Sequence, residues 1–147
     1  MSKRASPRHA GLMLSTDNRA FIVGGMIHLM LSGGWLLSCG TLLADGHLRP
    51  VGVHLLGVGF VLSLIYGLAA HMLPRFTGNP IRAGVLPWVQ WCTLQAGLAG
   101  FVVGTWLPDA RVAFAGGALT GLSFVIFASR LWPVLWPRSS TSAARHA

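Results

Sequence analysis

LRPVGVHLLGVGFVLSLIYGLAAHMLPRFTGNPIRAGVLP, residues 48–87, holds two histidines, His54 and His71, near the ends of a run that is otherwise apolar enough to lie in a membrane. A helix of about 20 apolar residues crosses the hydrocarbon core of a bilayer, and Val51–Leu73 has that length. Ionisable groups inside such a run are costly, which makes both histidines functional candidates. Their partners have to come from the rest of the chain.

Composition agrees with this reading. Of the 147 residues 53% are hydrophobic and only 10% charged, and the mean hydropathy is +0.62, which excludes an ordinary soluble domain. The net charge of +8 would point to nucleic acid in a soluble chain. Here the basic residues sit in tails and loops between apolar runs, so they read as orientation signals; the partner is a lipid bilayer and not nucleic acid. Cys39 and Cys92 both fall inside apolar runs without the partners that a disulfide or zinc site needs, and are expected as small buried apolar residues.

Met1–Arg19 is a basic segment without apolar periodicity, expected to be a disordered tail. The first apolar run is Ala20–Ala44; its LLSC at Leu36–Cys39 faintly resembles a lipoprotein cleavage box, but the run is longer than a signal-peptide core and Leu37 is not small. A short loop, Asp45–Pro50, makes helices one and two an antiparallel hairpin. Helix two spans 51–73, with Pro74 ending or kinking it. The loop Arg75–Pro87 is followed by helix three over 88–107, a tight turn at Pro108–Arg111, and helix four over 112–136. Residues 137–147 form a second basic tail. The expected fold is an all-α membrane protein, a four-transmembrane-helix antiparallel bundle in the inner membrane of a prokaryote. The small-xxx-small pairs Gly100/Gly104 and Gly117/Gly121 permit close helix approach.

Orientation follows from counting. With the N-terminus inside, that side holds Lys3, Arg4, Arg8, Arg19, Arg75, Arg82, Arg130, Arg138 and Arg145, leaving Arg49 and Arg111 outside. Nine against two gives N-in, C-in. Trp88, Trp91, Trp132 and Trp136 gather on the inner side and Trp106 on the outer, while Trp35 lies deeper, where packing would account for it.

Folding the first hairpin about Asp45–Pro50 places His28 level with Tyr66, about 7 to 8 Å along the axis from His71 and about 18 Å from His54. Two histidine levels suit haem, whose iron takes axial imidazoles from facing helices. Each histidine has a glycine about one turn away that eases approach of a flat ring: Gly24, Gly57 and Gly67. The cofactor-binding candidates are therefore His54, His71 and His28 as iron ligands to haem b, with Arg49 and Arg75 available to pair propionates. Copper is disfavoured, because on a helix Met26 and Met30 share a face from which His28 is rotated away. Helices three and four contain no histidine. His54 would then pair across a homodimer, pair with His47 through a folded-back loop, or leave iron five-coordinate and open to a gas. No carboxylate lies in a membrane run, so an acidic proton relay is not encoded.

The segment from His54 to Pro87 resembles helix two and the following loop of the haem-copper oxidase and nitric oxide reductase catalytic subunits, where a ligand histidine is followed by a glycine, a proline, a glycine and a proline. Here those are His54, Gly67, Pro74, Gly78 and Pro87. Leu48–Pro50 resembles the residues that precede that helix, and RFTGNPIR, Arg75–Arg82, is similar to NnrS-type membrane haem proteins. The likeness covers about a quarter of the chain. It implies that His54 is an axial ligand to a low-spin haem b near the outer face. The full subunit has about three times as many helices, and its copper ligands and second haem ligand have no counterpart here, so the likeness carries no complete catalytic site. Two functions follow: a small b-type cytochrome for electron transfer or diatomic gas binding, or an accessory subunit of a respiratory or nitric-oxide-related complex whose histidines only satisfy buried contacts. A quinone contact through His71 and Tyr66 would fit either. The topology is checked by fusions: alkaline phosphatase, active only outside the cytoplasm, is expected to be active after His47 and inactive after Asn79.

Overall fold

The computed structural model describes residues 14–43, 46–81 and 84–136. The expected tails lie outside them except for 14–19, as does Arg82. Four long helices account for nearly all of the described chain: α1 Thr16–Cys39, α2 Gly46–Thr77, α3 Leu86–Trp106 and α4 Ala110–Leu135. Of these α1, α2 and α4 are long and apolar enough to cross a membrane. α3, with 21 residues, has the length but carries Gln90, Thr93 and Gln95. Large apolar side chains face outward, Leu37 at 88% exposure and Phe114 at 79%, a surface suited to lipid and not to water.

α1 begins within the segment expected as tail and stops five residues before Ala44. Gly40 adopts a left-handed conformation, φ +67°, and its N–H donates to the Leu36 carbonyl at 2.8 Å, a geometry that glycine adopts without a steric penalty. The early stop moves the fold point of the first hairpin. His28 consequently faces Gly59, seven residues before the expected Tyr66 and about 10 Å away along the axis. Tyr66 instead meets Phe21 edge-on at 5.7 Å. Pro74 does not end α2; the helix runs on to Thr77 and stops at Gly78, φ +71°. Thr77 donates its hydroxyl to the Leu73 carbonyl at 3.0 Å, and Arg75 donates to the His71 carbonyl.

Within α2 a π-helical stretch, Leu55–Leu62, separates the α-helical pieces Arg49–His54 and Ser63–Thr77. π turns are uncommon and concentrate at functional sites.

α3 and α4 form the tightest pair. A Cβ placed on Gly104 would lie 2.2 Å from the Ala113 nitrogen, on Gly116 2.2 Å from the Phe101 nitrogen, and on Gly97 2.5 Å from the Thr120 nitrogen. The backbones themselves are in contact. Of the expected glycine pairs, Gly100 and Gly104 lie in this contact, but Gly117 and Gly121 face open space. One residue is about 100° around a helix, so Gly116 occupies the interface and Gly117 turns away from it. Asp109 caps α4, its carboxylate accepting from the Arg111 N–H at 2.9 Å and the Val112 N–H at 3.3 Å.

Two apolar clusters join the hairpins. Phe21, Tyr66 and Leu94 form one, with Trp91 and Phe127 packed against them; Trp35, Val51 and Leu55 form the other, and this packing accounts for the deep position of Trp35. Cys39 and Cys92 are exposed, contrary to the expectation of burial. Cys39 is the last residue of α1, one turn beyond Trp35, and borders an open pocket beside the second cluster. Gly116→Val is expected to lower stability by about 1–3 kcal/mol through overpacking, whereas Gly117→Ala leaves it unchanged; thermal unfolding in detergent distinguishes the two.

Candidate functional site

His54 closes the α-helical piece of α2 where the π stretch begins. Its Nδ1 donates to the Pro50 carbonyl at 2.8 Å. A carbonyl oxygen can only accept, so Nδ1 carries a proton, and in the neutral ring Nε2 keeps its lone pair. Backbone bonding of this kind is how ligating imidazoles are commonly oriented. The ring lies against Phe101, centroids 4.2 Å apart. It borders a cavity of about 190 Å³ walled by Leu98, Phe101, Gly117, Thr120 and Gly121. The π stretch, the cavity and the open side of α4 at Gly117 and Gly121 thus meet at one imidazole.

His28 shares the same local bond, Nδ1 donating to the Gly24 carbonyl at 2.8 Å. Its environment differs. The ring fills the notch left by Gly59, where a Cβ would lie 2.6 Å from the imidazole, and the residue is buried. It occupies the contact between α1 and α2, and a flat group could enter only by parting them. Gly24, expected to make room for a ring, instead receives Gln95 and Trp91, and Gly67 receives Asn18 and Ile22. Gly57 faces open space.

His71 and His28 are not brought together. Twelve residues of α2 separate His71 from the level of His28 at Gly59, roughly 18 Å. His71 is half-buried and lines a separate pocket with Arg75. His47 is exposed in the turn Gly46–Leu48, and Arg49 is exposed one turn before His54. Arg49 is therefore at the right end of α2 to serve a group at His54, and Arg75 is not.

The donor chemistry of His54 fits a haem; the enclosed space does not. Small-molecule sites start at about 300 Å³, and the cavity holds about 190 Å³. Among the described residues no three His, Cys, Asp or Glu side chains converge, so a metal ion wholly ligated by protein has no donor set there.

The polar feature that sequence reasoning missed is a buried clamp. Arg130, counted as an inner-surface charge, is 6% exposed inside the bundle. It donates to the Gln90 side-chain carbonyl of α3 and lies 3.9 Å from the Asp17 carboxylate of α1. Three helices are thus tied at one end. The detectable signal was an arginine inside the apolar run of α4 at the depth of a glutamine in α3. Further polar atoms are buried without hydrogen-bond partners among the described residues, the Gln95 amide nitrogen and the Ser63 hydroxyl included.

The sequence model of a family described as Domain of unknown function (DUF8744) matches residues 7–133. No curated protein matches the chain, and no solved structure does.

Gln90→Leu deprives a buried guanidinium of its acceptor and is expected to cost about 1–3 kcal/mol. Asp17→Asn costs less, the pair being longer and Asp17 partly exposed. Unfolding of both variants in the same detergent gives the order.

Proposed function

We propose that this chain, which belongs to the family described as Domain of unknown function (DUF8744), is a small b-type haem protein with four membrane spans and both termini inside, serving electron transfer or diatomic gas binding. The observation that supports this is His54, with its proton fixed on Nδ1 by Pro50 and its Nε2 left as a donor beside an apolar, glycine-walled cavity. Haem supplies a one-electron couple, or an open iron position for a gas. In this reading His54 would hold the iron and Arg49 would pair a propionate. His28 serves packing and His71 stands apart.

The enclosed volume within one chain is too small for the macrocycle, so the reading requires a second surface. A homodimer or a larger respiratory or nitric-oxide-related complex would provide it. α3 is the fourth span in this reading. Its glutamines turn inward, Gln90 toward Arg130 and Gln95 toward Gly24, which keeps its outer face apolar.

One observation favours a second reading, an accessory membrane subunit without its own cofactor. His54 already has a bonded Nδ1 and a ring contact with Phe101, which is how a merely packed histidine is held. The two readings separate in an absorption spectrum. Protein expressed with ample haem and purified in detergent is expected to show a Soret band, with sharp alpha and beta peaks on reduction if iron has two imidazoles. His54→Ala loses the Soret band and His28→Gln keeps it. A colourless protein leaves the accessory reading.

A further inference from the structure

We propose that the pocket between the start of α1 and the Pro74 end of α2 binds a phosphate-bearing anion, most simply the headgroup of an acidic phospholipid in the inner leaflet. The proposal does not involve His54 and is independent of the haem reading.

The pocket has a volume of about 580 Å³ and is lined by Ser15, Asn18, His71, Pro74, Arg75 and Gly78, among others. That lies within the range of small-molecule sites. Three features converge on it. First, α1 is 24 residues long and its N-cap, Ser15, makes no side-chain cap hydrogen bond. The first-turn N–H groups carry positive partial charge, which Asp17 in the same turn offsets in part.

Second, Asn18 lines the pocket although the residue is only 6% exposed. Among the described residues its side-chain amide makes no hydrogen bond. Anion oxygens in the pocket would accept from that amide. Third, Arg75 lines the opposite wall and brings a full positive charge, its guanidinium anchored to the His71 carbonyl. The nearby carboxylate, Asp17, does not line the pocket and lies 3.9 Å from Arg130.

Neutral amide, helix end and guanidinium together recognise tetrahedral oxyanions by charge-assisted hydrogen bonds. With the N-terminus inside, the pocket lies where the inner leaflet presents acidic headgroups, and basic pockets between helices on that side are lipid sites. Soluble phosphate carries the same chemistry.

The test uses the full chain in detergent, followed by thermal unfolding and by native mass spectrometry, with phosphatidylglycerol, phosphatidylcholine and inorganic phosphate as separate additions. Phosphatidylglycerol is expected to bind and stabilise saturably, and phosphatidylcholine at least about tenfold more weakly. Asn18→Asp preserves side-chain size but puts a carboxylate in the pocket; it and Arg75→Gln each weaken phosphatidylglycerol by about tenfold or more. Asn18→Asp alone decides the matter if Arg75→Gln misfolds. Stabilisation by inorganic phosphate that Asn18→Asp abolishes upholds the site and makes soluble phosphate its ligand. No stabilisation by any addition, equal binding of both lipids, or undiminished binding by Asn18→Asp overturns the proposal.

Discussion

Backbone-to-backbone contact between α3 and α4 is the constraint on which the rest of the arrangement depends. In lipid, apolar side chains gain little by leaving their surroundings, so helix association rests on close packing. Gly97, Gly104 and Gly116 remove the side chains that would keep the two backbones apart. The close approach fixes Phe101 and Thr120 as walls of one cavity. It also sets the depth at which α4 presents Arg130 to Gln90. The first hairpin is held by different means, with one imidazole filling the notch at Gly59.

A buried guanidinium gives the bundle a polar fastening at one end. Desolvation makes such a group expensive, and a clamp of this kind is not in itself a source of stability. Its effect is specificity of position: Arg130 reaches Gln90 and Asp17 only when α1, α3 and α4 meet in one register. The same end of the molecule holds Ser15, Asn18, His71 and Arg75, so its polar chemistry is concentrated there, whereas His54 lies among apolar walls toward the other end.

Much of the fold was legible because apolar runs and breaks are local properties. The four helices and the short turn capped by Asp109 could be placed from residue order. Register could not. A single glycine in a left-handed conformation, Gly40, shortened α1 and moved His28 by two turns against α2, and no periodicity announced it. Gly116 and Gly117 are equally plausible contacts by spacing, and only the facing backbone decides between them. His54 could be singled out as a candidate from residue order, but the bond to Pro50 and the π stretch behind it depend on the folded helix. Arg130 was misplaced because counting charges assigns them to surfaces.

The π stretch Leu55–Leu62 carries one further consequence. Where a helix widens from α to π it accommodates an extra residue while the turns on either side keep their facing. The segment between His54 and Ser63 is therefore a place where chain length can change with little disturbance to either flank. A chain one residue shorter here could close as ordinary α-helix and still present His54 toward Phe101 and Tyr66 toward Phe21. A deletion elsewhere in α2 would turn every following side chain by about 100° and disrupt whatever packing those side chains make. Length variation among related chains would thus be tolerated beside the imidazole and excluded from the rest of the helix.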